Sequence, residues 1–124
     1  MDINKLSFNP SLCFINGKWI HPHKGKFIEL VNPSNGKILC KISRGSSEDI
    51  DHAIIAAQNS DWVNSSALER VRVLLKMSQM VLNEVELLAE LEANDVGKPL
   101  AQARGDAIAL ARYLEFYGIF FYLN

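Results

Sequence analysis

The residues able to do chemistry are few: Cys13 and Cys40, His21, His23 and His52, Lys98, and carboxylates spread along the chain. A nucleophilic thiolate needs a base or a positive environment to lower its pKa. Cys13 and Cys40 both sit in apolar, strand-like surroundings with no base at local spacing, which predicts buried, inert thiols. A metal centre needs clustered His, Cys or carboxylate at ligand spacing. His21 and His23 lie in a turn-rich segment and His52 stands alone on a helix, so these read as solvated loop residues and a residue of the polar helix face. A phosphate cradle needs glycines at a helix start, and neither G-x-G-x-x-G nor a Walker pattern occurs. The nearest feature is Gly97-Lys98-Pro99. A single Lys there could hold an anion, but a helix-to-helix turn with a solvated Lys is the plainer reading. Trp19, Trp62 and Phe116 are spaced as core residues and lack the basic-aromatic interleaving of a nucleic-acid platform, and Met77 and Met80 read as core filling. By residue type and spacing alone, the chain holds no catalytic constellation.

Composition narrows the classes further. Thirteen Lys+Arg against 14 Asp+Glu give a net charge of −1, which excludes a strongly basic nucleic-acid binder. With 48% hydrophobic and 22% charged residues the chain is expected to fold as an ordinary soluble protein. Its 124 residues would bury roughly two-thirds of their unfolded surface in a single core, which predicts a single domain. Two cysteines are too few for a disulfide scaffold, and Met1 to Pro10 lacks the apolar region of a secretory signal, so a reducing, cytoplasmic setting is expected. No apolar run approaches the ~20 residues of a bilayer span. Asn64-Ser65-Ser66 fits a glycosylation sequon that is inert in such a setting.

The elements that must position these residues divide near Gly45. Before it, turn residues alternate with short apolar runs: Asn16-Gly17, Pro22, Gly25 and Asn32-Pro33-Ser34-Asn35-Gly36. Leu12 to Ile15 and Lys18-Trp19-Ile20 flank a two-residue hairpin signal. Phe27 to Val31 and Lys37 to Ile42 are further strands, giving three or four short antiparallel strands over about 12–45. After Gly45 the period changes to 3.6. Ser46 with Asp49, and Ser66 with Glu69, form capping patterns. The first helix is expected over 47–59, with Ile50, Ala53, Ile54 and Ala57 on one apolar face. The second runs from Ser66 to about Ala93, bent near Asn83. Gly97 suits a helix C-terminus and Pro99 the next helix start. A third helix then carries Leu100, Ala103, Ala107, Leu110, Leu114 and Tyr117 and receives no stop signal, so the sequence reads as cut off. The expected architecture is α/β in class, or α+β for the fragment by itself: a strand unit at 12–45 and three helices over 46–122.

Five segments in order carry a resemblance: Phe14-Ile15-Asn16-Gly17-Lys18-Trp19, Val31-Asn32-Pro33-Ser34-Asn35-Gly36, Ala53-Ile54-Ile55-Ala56-Ala57, Glu69-Arg70-Val71-Arg72-Val73-Leu74-Leu75 and Asp95-Val96-Gly97-Lys98-Pro99. Together with Asp106, Tyr113 and Tyr117, they resemble the N-terminal part of the NAD(P)-dependent aldehyde dehydrogenase superfamily, from about Leu12 to Tyr117. The resemblance implies an oxidoreductase in which a cysteine thiolate attacks an aldehyde, hydride passes to NAD(P)+, and a water activated by a glutamate releases the carboxylate. An amide N–H and an asparagine side chain stabilise the oxyanion in such proteins. The Pro-Trp-Asn segment, cofactor-binding glycines, catalytic Glu and nucleophilic Cys lie further along a much longer chain in that family. Neither Cys13 nor Cys40 can therefore be carried into the nucleophile's role.

Three expectations follow from the resemblance. The chain is an N-terminal fragment without activity by itself and with no NAD or NADP expected on it. Similar proteins bind a monovalent cation through main-chain oxygens before Asn-Pro and through the Asp of the Gly-Lys-Pro motif, here Leu30, Val31 and Asp95, whose hard oxygens suit Na+ or K+. Expected partners are the remainder of an aldehyde dehydrogenase or a full-length relative, with subunit contacts nearby and no nucleic acid or membrane. An alternative is a stand-alone interaction module that docks on a full-length relative through Tyr117, Phe120, Phe121 and Leu123; self-association is expected of that stripe.

Overall fold

The structure is a computed structural model that describes the backbone of residues 6–123 and the side chains of 6–120. Met1 to Lys5, part of the segment read above for a signal, lie outside the described residues, as do the side chains of Phe121 and Leu123. Antiparallel strands are followed by helices, in the order β1 (Cys13–Ile15), β2 (Lys18–Ile20), β3 (Phe27–Val31), β4 (Ile38–Ser43), α1 (Ser47–Gln58), a 3₁₀ turn (Asp61–Asn64), α2 (Ala67–Asn83), α3 (Val85–Val96) and α4 (Leu100–Leu123). The chain divides into two compact units, Met1–Asp61 and Trp62–Asn124. α1 therefore groups with the strands.

In the first unit, β1 and β2 form a hairpin that pairs Phe14 with Trp19. Its turn residues Asn16 and Gly17 stand at φ 52° and 72°, the doubly left-handed turn that matches the twist of the flanking strands. Trp19 stacks on Phe8 with ring centroids 5.2 Å apart and meets Phe14 at 5.0 Å. β3 and β4 form a separate two-stranded sheet from Phe27↔Ser43 to Val31↔Ile38, with a bulge between Leu30 and Val31. Two-stranded sheets are marginal alone. The Ser43 N–H ties this one to the segment before β1 by donating to the Pro10 carbonyl at 3.0 Å, and the Arg44 N–H extends its ladder by donating to the Lys26 carbonyl at 2.9 Å.

α1 begins with the capping box read from the sequence: Ser46 and Asp49 exchange side-chain and backbone hydrogen bonds. Its apolar face is not buried. Ile50 is 59% exposed and Ile54 50% exposed, and Ala53 and Ala57 are exposed with them.

The second unit is built around α4, against which both α2 and α3 pack, while α2 and α3 touch each other only slightly. There are four helices where three were expected. The bend expected near Asn83 is a full break at Glu84, whose N–H donates to the Val81 carbonyl and whose carbonyl accepts from the Leu88 N–H. No Gly or Pro marks this site; breaking there allows α2 and α3 each to reach α4. The buried residues of the unit are small: Ala89, Ala103, Ala107, Ala111 and Ser78. Gly118 continues the line, since a Cβ there would meet the Leu74 Cβ at 3.2 Å. The buried stripe of α4 thus runs through Ala103, Ala107, Ala111 and Gly118, with Leu114 half-buried. Leu100, Leu110 and Tyr117 of the expected stripe face outward. Met77, Met80, Trp62 and Phe116, read as core or packing residues, are likewise exposed, as is Trp19 in the first unit.

Candidate functional site

The three residues expected to hold a cation lie in two different units: Leu30 and Val31 in the first, Asp95 in the second. Leu30 and Val31 close β3 at its bulge, where Leu30 pairs with Cys40 and Val31 with Ile38, leaving Leu39 as the extra residue. A bulge turns the local backbone and re-aims its groups. The Asn32-Pro33-Ser34-Asn35-Gly36 turn that follows is tightly made. Asn32 is buried, its Oδ1 accepts from the Ser34 N–H at 2.8 Å and its carbonyl from the Gly36 N–H at 2.8 Å. The Asn32 N–H donates to the Lys37 carbonyl at 2.9 Å. Asn is suited to this role because its side chain bonds the backbone two residues on.

Asp95 is the penultimate residue of α3, is exposed, and makes no side-chain hydrogen bond or ion pair among the described residues. α3 is closed by Gly97 at φ 73°, with its N–H donating to the Ala93 carbonyl. No base stands in the last turn of α3, so a carboxylate sits unrelieved at the negative end of the helix dipole.

Lys98 is half-buried and ion-paired rather than a freely solvated side chain. Its Nζ donates to Glu92 Oε1 at 2.5 Å and to Asp106 Oδ2. The Asp106 carboxylate, then that of Glu92, holds the Lys98 pKa above its ordinary value. A cation between two carboxylates on α3 and α4 fastens the turn between them. A second link joins the same helices: Arg104 Nε donates to Glu86 at 2.8 and 3.0 Å, and this hydrogen bond lowers the Glu86 pKa. Residue spacing could not reveal this second link, because Glu86 and Arg104 stand 18 positions apart.

In the first unit the informative carboxylate is Asp49, only 4% exposed. It accepts from the Ser46 N–H at 2.7 Å, the Ser46 hydroxyl at 2.9 Å and the His23 N–H at 3.0 Å. The backbone donors of Ser46 and His23 hold its pKa below the usual value. The capping half of this arrangement is legible in the sequence; the link to His23 is not. Neighbouring Glu48 is lowered to about 2 by its own backbone N–H first, then by Ser46 and Lys24. The side chains of His21, His23 and His52 are exposed. Cys13 and Cys40 are half-buried, less enclosed than expected, and form no disulfide. Among the described residues no group of three or more His, Cys, Asp or Glu could hold a metal ion, and no helix is long and apolar enough to cross a membrane.

Ser78, buried on α2, donates to Glu115 on α4 at 3.0 Å. The same unit holds a cleft of about 360 Å³ lined by Trp62, Ala67, Arg70, Leu74 and Gly118. Arg70 is committed to the carbonyls of Ser65, at 2.8 Å, and Val63. The described residues thus hold local frameworks of caps, turns and helix clamps, and no set of nucleophile, base and oxyanion donors.

The model of the aldehyde dehydrogenase family matches residues 19–121. An aldehyde dehydrogenase of Vibrio cholerae is 36% identical over 91 residues, covering 72% of this chain and 18% of that protein. The solved aldehyde dehydrogenase of Brucella melitensis biovar abortus superimposes with a TM-score of 0.87 at 29% identity, over 95% of this chain and 25% of that one. An NAD-dependent aldehyde dehydrogenase from Sinorhizobium meliloti gives 0.79 at 30% identity, over 84% and 22%. The chain spans about a fifth of the length of the curated relatives it matches. A family model that runs from β2 through the clamped Gly-Lys-Pro turn into α4, with close backbone agreement to solved members, accounts for the order of elements: the chain belongs to the aldehyde dehydrogenase family, corresponding to its N-terminal portion.

Proposed function

We propose that these 124 residues serve as the N-terminal part of an NAD(P)-dependent aldehyde dehydrogenase, which oxidises an aldehyde to a carboxylate, and that by themselves they do not turn over. The observation supporting this reading is the inversion of the surface: isoleucines of α1 and aromatics of α4 stand in water while alanines are buried. Apolar surface of that extent marks a face meant for another part of a protein. The chemistry agrees with it, since nucleophile, general base and cofactor-binding glycines have to be supplied by other residues. The aldehyde and the choice of NAD or NADP are set there too, and the compartment is proposed to be the cytoplasm. The test is to incubate the purified chain with NAD+ or NADP+ and a panel of aldehydes and follow reduced cofactor by absorbance. No rise is expected; cysteine-dependent turnover would overturn the proposal.

Leu30, Val31 and Asp95 are proposed as ligands for Na+ or K+ within the same function. The support is Asp95, an unpartnered carboxylate at a helix C-terminus that a cation would relieve. Sodium NMR line broadening should appear on adding the chain and shrink in Asp95→Asn; equal broadening by both proteins rejects Asp95 as a ligand.

The exposed aromatic face of α4 favours a second reading, a module that docks on a full-length relative and modulates its assembly. Under that reading the chain is captured by a tagged full-length aldehyde dehydrogenase in a pull-down. A chain that stays monomeric and captures nothing leaves only the first reading.

A further inference from the structure

We draw no further inference here: the strongest candidate, the exposed aromatic face of α4 formed by Tyr113, Phe116, Tyr117 and Phe120, carries nothing because nothing in the structure shows what covers it.

Discussion

In the residues up to Asp61, order comes from hydrogen bonds that the chain makes to itself at its turns: Asn32 across the loop between β3 and β4, Asp49 between the start of α1 and His23, Ser43 back to Pro10. From Trp62 onward it comes from helix backbones brought close by small residues, with Ala103, Ala107, Ala111 and Gly118 lining one side of α4. The first unit has polar joints and little apolar interior. The second has close contact and, among the described residues, one buried polar side chain, Ser78. Directional bonds specify a local shape without a large core, whereas close packing specifies a shape only where nothing larger than a methyl group intrudes. The two units should therefore fail in response to different insults.

The largest effect is expected from enlarging the close contact. Ala111 is 1% exposed, and Ala111→Leu should destabilise the second unit by about 1–3 kcal/mol through overpacking. Chemical denaturation followed by helical circular dichroism measures it; an unchanged midpoint would mean that α4 is not closely packed. Next comes a polar joint. Asn32→Ala leaves the Ser34 N–H without its acceptor and should cost the first unit about 1 kcal/mol, the typical worth of such a bond. Amide exchange at Ser34 and Gly36 should speed up while that of α2 stays the same. Equal acceleration in both units would erase the contrast.

Acid should act on the start of α1 through its capping carboxylates. Glu48 and Asp49 have lowered folded-state pKa values, so the stability they contribute is complete above their unfolded values and is lost as pH falls through the folded ones. For Glu48 the window runs from the ordinary 4.5 down to about 2. The start of α1 should loosen as these carboxylates take up protons, with exchange at the His23 amide rising as Asp49, its acceptor, is protonated. Loss of α1 protection already at neutral pH would contradict the capping role. The smallest effect belongs to the exposed apolar face of α1: Ile54→Asn should change stability of this chain by less than about 0.5 kcal/mol, as surface substitutions do. A large loss measured by thermal unfolding would show that Ile54 is covered in solution.

Much of the local architecture was legible. The hairpin turn at Asn16-Gly17, both capping boxes and the Gly97 terminus each depend on residue types within a few positions of one another, and all are present. The break at Glu84 was not, because it serves the packing of α2 and α3 on α4 and no local residue announces it. Burial was misread for the same reason. A 3.6-residue period finds an apolar face but does not say what lies opposite, so the exposure of Ile50 and Ile54 could not be read from it. On α4 the period does not rank Ala107 above Leu110. The partners of Lys98 and Arg104 depend on how α3 meets α4, which no spacing encodes.

The alanine-lined contact of α4 has a thermal consequence. Heat capacity rises on unfolding in proportion to the apolar surface newly wetted, and here many of the large apolar side chains, from Val73 and Met80 to Phe116, are already wet in the folded state. Alanine also surrenders almost no side-chain freedom when it is buried. The second unit is therefore expected to melt with a small heat-capacity increment, with stability that varies gently with temperature and a response to urea that is shallow for its size.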